Sequence, residues 1–125
     1  MILLDYKDGR PIYEQIVERV EELVAKGVMS TNDQLPSVRQ LAMELSINPN
    51  TIQRAYTELE HRGSIYSVKG KGSFIAGRDV VVENQKKQLY QKLQDVAESA
   101  RSLGVAKEEF LQQAAQCYET GGKET

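Results

Sequence analysis

Apolar residues recur at helical spacing from Ile12 onward. Ile12, Ile16, Val20, Leu23 and Val24 form one stripe, opened by Pro11 at the first helical position and closed by Gly27. Glu14, Glu18, Glu21 and Glu22 take the outer face, which should turn away from phosphates; Tyr13 and Gln15, at the helix start, stay within reach of one. A polar connector follows, with Ser30, Thr31, Asn32 and Asp33 as turn residues. Val38, Leu41, Ala42 and Leu45 then predict a short helix capped by Ser37. Ser46-Ile47 is a corner, after which Asn48 caps, Pro49 takes the first helical position, and Ile52, Ala55, Tyr56 and Leu59 form a second stripe ended by Gly63.

The period then changes. Ile65, Tyr66 and Val68 are strand formers, as are Phe74-Ile75, and Lys69-Gly70-Lys71-Gly72 between them reads as a hairpin tip. Two short helices with a tight corner, followed by a basic hairpin, make a winged helix-turn-helix. The GKGS string is not a nucleotide phosphate loop. Ile65 stands where that pattern needs glycine, and a strand follows where it needs a helix.

Beyond Arg78 the chain starts as a β-branched run, Val80-Val81-Val82, and becomes helical again. Leu89, Leu93, Val96, Ala97, Ala100 and Leu103 share one stripe that Gly104 ends; a second helix from about Lys107 carries Phe110, Leu111, Ala114, Ala115 and Tyr118, and the chain frays from Gly121. Such a helix pair cannot enclose its own apolar stripes. It packs back on the winged helix or pairs with a second copy, and Ala97 and Ala100 are small enough to let another helix approach. A regulator that reads two half-sites favours the second copy. At the other end, Ile2-Leu3-Leu4 either packs on the domain or forms a short strand.

The expected fold is therefore mainly α with a small β-hairpin: a winged helix-turn-helix over residues 10–78 and a C-terminal two-helix dimerisation hairpin over 79–125. The polar face of the second short helix carries Asn50, Gln53, Arg54 and Thr57, with no carboxylate before Glu58. Amides and guanidinium groups can pair with base edges in the major groove, where a helix-turn-helix presents the start of its second helix. For an arbitrary helix pair a merely solvated face is the commoner reading; the basic hairpin tips the balance toward DNA.

Charge sharpens this picture. The chain has a formal net charge of −2, so it is not basic throughout. Between Leu35 and Arg78, however, Arg39, Arg54, Arg62, Lys69, Lys71 and Arg78 face only Glu44, Glu58 and Glu60, and such a local surplus sets an electrostatic footprint. One cysteine, Cys117, excludes an internal disulfide and fits a reducing compartment. With no membrane-spanning run and no signal segment, a cytoplasmic location is expected. One histidine, His61, and no paired carboxylates or metal-ligand spacing argue against an enzyme, a metal or a cofactor.

In order and spacing, LPSVRQLAMELSINPNTIQRAYTELEHRG followed by GKGSFI closely resembles the GntR family of bacterial transcription regulators, and PIYEQIVERVEELVAKG resembles that family's first helix. The likeness covers Arg10 to Gly77. It implies that Arg39 approaches DNA beside the recognition helix, that the Thr51 hydroxyl binds phosphate as well as capping, and that the segment around Gln34-Leu35 pairs as a minor strand. Many relatives have arginine or serine where Pro49 stands, and arginine where Gln53 stands. Asn48-Pro49-Asn50-Thr51 is instead familiar in the short, YtrA-like branch, whose tail is two dimerising helices; other branches carry large effector or aminotransferase-like domains for which this chain has no room.

The expected function is then a sequence-specific regulator, a repressor, binding as a homodimer to an inverted-repeat operator in double-stranded DNA. Arg39, Asn50, Gln53 and Arg54 would meet bases; Ser37, Thr51, Thr57 and Lys71 would hold phosphates; Lys69-Gly70 would enter the minor groove. An unknown small-molecule effector would sit at the dimer interface or between tail and winged helix. Family relatives often control membrane transporter operons and their own gene. The competing reading is a winged helix used for protein–protein assembly, which would have no need of a basic groove face.

Overall fold

The computed structural model describes Ile2, Leu4, Asp5 and residues 7–123; the Leu3 part of the N-terminal apolar run and residues 124 and 125 lie outside them. Its elements run α1 (Ile12–Ala25), α2 (Val38–Leu45), α3 (Pro49–His61), β1 (Ile65–Val68), β2 (Gly72–Ile75), α4 (Arg78–Ser102) and α5 (Lys107–Lys123). The chain forms two compact units that divide between Lys86 and Lys87. That division falls about two turns inside α4, downstream of the 78/79 boundary read from the sequence.

In the first unit, α1, α2 and α3 surround a core built on Ile16, Val20, Val24, Leu41, Ile52 and Leu59, and the hairpin closes it with Ile65 and Ile75. Ile2 and Leu4 pack against this core as partly buried residues. The strands pair antiparallel, with Ile65 opposite Ile75 and Tyr66 opposite Phe74. Gln34 bridges Phe74 on the other edge, with Leu35 N–H donating to the Ser73 carbonyl at 2.8 Å. The minor strand implied by the family resemblance is thus a single bridge.

Helix α1 corrects four expectations. Pro11 sits one residue earlier than expected, as the N-cap, its carbonyl accepting from Glu14 and Gln15 N–H. Gln15 is buried; its side chain accepts from Asp5 N–H at 2.9 Å and donates to the Arg10 carbonyl at 3.1 Å, so it cannot reach a phosphate. Glu21 does not lie on the outer face at all. It is 0% exposed, while Leu23, expected in the stripe, is only partly buried.

The buried Glu21 carboxylate is surrounded by donors. Ser64 Oγ donates to it, Gln85 Nε2 at 3.0 Å and Asn84 Nδ2 at 3.2 Å donate to it, and Arg62 forms an ion pair at 2.6 Å. Asn84 Nδ2 also reaches the Arg62 carbonyl and Ser64 Oγ, both at 3.1 Å. A buried charge is tolerated only when paired and hydrogen-bonded in this way. The cluster joins α1, the C-cap of α3, the residue before β1 and the third turn of α4.

This explains where α4 begins. Val80–Val82, β-branched and expected to precede the helix, are already helical from Arg78, because Val81 is 0% exposed in the core and tertiary burial outweighs a weak local preference. Arg78 donates from Nε and Nη2 to the Ala25 carbonyl, at 3.1 and 2.6 Å, satisfying the C-terminal end of α1. The first unit therefore needs the start of α4, and a chain ended at Arg78 would lose Val81, Asn84 and Gln85 from it.

In the second unit, α4 and α5 meet at a turn where Val105 N–H donates to the Ala100 carbonyl at 3.0 Å and Gly104 adopts φ +77°. Helix α5 continues past the expected fraying point at Gly121 as far as Lys123. Ala97, Ala100 and Phe110 are partly buried, whereas Leu89, Leu93, Val96, Leu103 and Leu111 are exposed, from 49% at Leu93 to 83% at Leu103. Among the described residues no helix is long and apolar enough to cross a membrane.

Glu21→Ala removes the acceptor that Ser64, Gln85 and the Arg62 guanidinium share, and one of the three acceptors of Asn84. It is expected to lower the unfolding free energy by about 2–4 kcal/mol, read from urea denaturation. A loss below about 0.5 kcal/mol would show that the cluster does not hold α4 to the core.

Candidate nucleic-acid interface

The corner between α2 and α3 is set by local chemistry. Ser37 Oγ accepts from Gln40 N–H at 3.0 Å, starting α2. Ser46 takes the left-handed conformation, φ +54°, and Ile47 N–H closes back on the Ala42 carbonyl at 3.0 Å. Asn48 Oδ1 then accepts from Asn50 N–H at 2.8 Å, with Pro49 in the first turn of α3. Tyr56 locks the two helices together: its buried hydroxyl donates to the Pro36 carbonyl at 2.6 Å. Burial, reinforced by the Glu44 charge, holds that phenol above its usual range, so it stays a neutral donor.

On this frame Arg39, Asn50, Gln53, Arg54 and Thr57 are exposed, and Thr51 is partly buried. Gln53 Nε2 donates to Thr57 Oγ1 at 3.3 Å along the same face. The Arg54 guanidinium carbon lies 3.9 Å from the centroid of the Tyr13 ring. Ser37 is exposed, although its oxygen already accepts the capping bond.

The wing joins the opposite end of α3, where Ser67 Oγ donates to Glu60 at 3.3 Å. Its tip is Lys69-Gly70-Lys71; Gly72, expected in the tip, instead pairs with Val68 as the first residue of β2. Lys71 N–H donates to the Val68 carbonyl at 2.9 Å, and Gln34 Nε2 donates to the Lys71 carbonyl at 2.8 Å. Gly72 has φ +119°, and a Cβ there would meet Gln34 Nε2 at 2.9 Å. The backbone conformation favours glycine, and a side chain there would also have to displace the Gln34 amide. Tyr66 stacks on Phe74, centroids 5.6 Å apart, and its hydroxyl donates to Asn32 at 2.7 Å, stiffening the hairpin base.

The cations counted between Leu35 and Arg78 separate into two groups. Arg62 is drawn to Glu21 and Arg78 to the end of α1. Arg39, Arg54, Lys69 and Lys71 are exposed and, among the described residues, have no carboxylate partner. Elsewhere on the first unit Arg10 bonds to Asp8 and Glu18, and its guanidinium holds the Asp8 carboxyl below the usual carboxylate range. Among the described residues no group of three His, Cys, Asp or Glu side chains could hold a metal ion.

Two groups escaped the reading of the sequence. Glu21 falls at helical spacing with Val17, Val20 and Val24, so its position signalled burial while its residue type hid it. Tyr13 was placed within reach of a phosphate, but nothing in the spacing joined its ring to Arg54, which lies in another helix.

Residues 12–75, just over half of the chain, match the model of the bacterial regulatory proteins of the gntR family. The chain belongs to the GntR family. It is 39% identical over 112 residues to the HTH-type transcriptional repressor YtrA of Bacillus subtilis (strain 168), covering 88% of this chain and 86% of that one. This span is longer than the first compact unit, so the likeness extends into the tail, as expected of the short YtrA-like branch. A GntR family transcriptional regulator from Listeria monocytogenes shares the fold with a TM-score of 0.73 at 34% identity, covering 90% of this chain and 98% of that one. The DNA-binding domain of AraR, solved in complex with operator ORE1, superposes with a TM-score of 0.52 at 26% identity over 61% of this chain and 93% of that one. This GntR protein is a winged-helix transcription regulator, from a family of regulators rather than enzymes.

Gly72→Ala should strain the turn and push Gln34 away from the Lys71 carbonyl. A loss of about 1–3 kcal/mol is expected, with faster amide hydrogen exchange confined to residues 65–75. Unchanged exchange there would mean that the hairpin accommodates a side chain at this position.

Proposed function

We propose that this GntR protein is a cytoplasmic repressor that binds an inverted-repeat operator as a homodimer, the winged helix reading DNA and the tail pairing two copies. The observation that carries the DNA half is the division of cations: Arg62 and Arg78 are held by α1, while Arg39, Arg54, Lys69 and Lys71 stay exposed and, among the described residues, without a carboxylate partner. A protein-docking use of the fold would have no need of them. Arg39, Asn50, Gln53 and Arg54 face base edges in this reading; Thr51, Thr57, Lys71 and the Ser37 hydroxyl proton serve phosphates; Lys69-Gly70 follows the minor groove. The naming of a similar protein as a repressor and the operator complex of AraR support it.

The dimer half rests on the apolar residues of the tail. Each half-exposed leucine that a second copy covers contributes on the order of 1 kcal/mol, and two-fold pairing matches an inverted repeat. Residues 79–125 are the proposed dimerisation tail, and a small-molecule effector would find apolar surface where two such tails meet.

Selection of duplexes from a random library at physiological salt tests the proposal as a whole. A palindromic consensus is expected, and recovery without any consensus would sink it. On the selected operator, Arg39→Ala should lose about 1–3 kcal/mol more than on scrambled DNA. Lys69→Ala with Lys71→Ala should instead weaken both DNAs alike and reduce the salt slope by about 2. Equal losses for Arg39→Ala on the two DNAs would demote it to a phosphate contact.

Sedimentation tests the tail in the full chain. Leu93→Glu with Val96→Glu, placing two charges in the exposed stripe, is expected to give a folded monomer with weakened operator binding. A dimer that survives both changes would assign the contact elsewhere.

A further inference from the structure

An arginine on the exposed face of α3 has three nearby fates. It can pair with Glu58 one turn along the same helix, reach Glu14 on α1, or lie on an aromatic ring. In this structure the third prevails. The Arg54 guanidinium carbon is 3.9 Å from the Tyr13 centroid, and among the described residues Arg54 forms no ion pair with either glutamate. Tyr13 is itself held, being partly buried against the core, with its hydroxyl donating to Glu14 at 3.3 Å.

The chemistry of the two alternatives differs. An ion pair would occupy the N–H edge of the guanidinium, the edge that reads a guanine. Stacking engages only the face and leaves the in-plane donors open. A ring beneath Arg54 therefore restricts a flexible side chain without consuming the groups it needs for DNA, and such restriction lowers the entropy cost of binding. Tyr13 comes from the first turn of α1, so the stack also ties the position of Arg54 to a second element of the core.

We propose that Tyr13 is a positioning residue for operator reading, acting through Arg54 as a ring platform that presents the guanidinium edge to a base. The proposal rests on the operator-binding reading above. It makes the pair, rather than either residue, the unit that discriminates between DNA sequences.

A double-mutant cycle on the full chain tests it, with the strongest duplex from the random library and a scrambled duplex as probes. Tyr13→Leu should weaken operator binding roughly 3- to 30-fold and scrambled binding far less. In an Arg54→Ala background the same change should add nothing. Tyr13→Phe, which keeps the ring, should restore most of the discrimination. Equal losses from Tyr13→Leu in both backgrounds would overturn the proposal, as would a Phe variant as poor as Leu or an Arg54→Ala variant that binds like wild type. None of those three outcomes would touch operator binding through Arg39 and Gln53. Wild-type protein that prefers neither duplex would sink the operator reading and this proposal together. Proton NMR of the wild-type chain decides the stack independently of how the variants fold. The Arg54 δ-methylene signals should be shifted upfield by the ring current, and random-coil positions would overturn the platform.

Discussion

The buried Glu21 carboxylate constrains the first unit more than any other group. Removing an anion from water is costly, and the cost is met here only when Ser64, Asn84, Gln85 and Arg62 converge on it together. Those partners arrive from different parts of the fold, so none can shift without exposing the others to an unsatisfied charge. Both amides of α4 reach this carboxylate, and Val81 of the same helix is fully buried in the core.

The same cluster shapes the electrostatics of the outer surface. A chain with formal net charge −2 binds DNA only if its cations are distributed unevenly. Glu21 withdraws Arg62, and the C-terminal carbonyl of α1 withdraws Arg78, each into a structural duty. On another side of α1, Arg10 is spent on Asp8 and Glu18. The remaining exposed cations of the winged helix between Leu35 and Arg78 lie in α2, α3 and the wing tip, where among the described residues no carboxylate pairs with them. Local assignment of charge, rather than its total, makes the surface suited to a polyanion.

Most of the helix-turn-helix was legible because its signals are local. Ser37, Ser46, Asn48-Pro49 and Gly63 each act within a turn of the chain, and the structure uses them as caps and corners at the expected places. The failures involve partners distant in sequence. Glu21 meets Asn84 and Gln85 more than sixty residues away, and no periodicity announces that. Val80–Val82 read as a β-branched run ahead of the helix, because the burial of Val81 that makes them helical comes from the core. Arg62 and Arg78 looked like interface cations because their carbonyl and carboxylate partners belong to α1. The exposed tail stripes were legible as pattern, yet their purpose rests on a partner chain.

Side-chain physics divides the labour across the proposed interface. The wing presents lysines, compact point charges on flexible stems, at the end of a hairpin whose tip is pinned by Gln34 and an intraloop bond. Such groups find a phosphate in many geometries and carry little sequence information. The helix-turn-helix presents arginines, whose planar forks discriminate only when held in the plane of a base pair. Holding them is therefore a structural requirement, and it is met from beneath. Tyr56, bonded to the Pro36 carbonyl, fixes the helix that carries Arg39 against α3, while Tyr13 lies under Arg54. Both tyrosines are anchored in the core, so the rigidity needed for reading bases is borrowed from the same packing that Glu21 joins to α4.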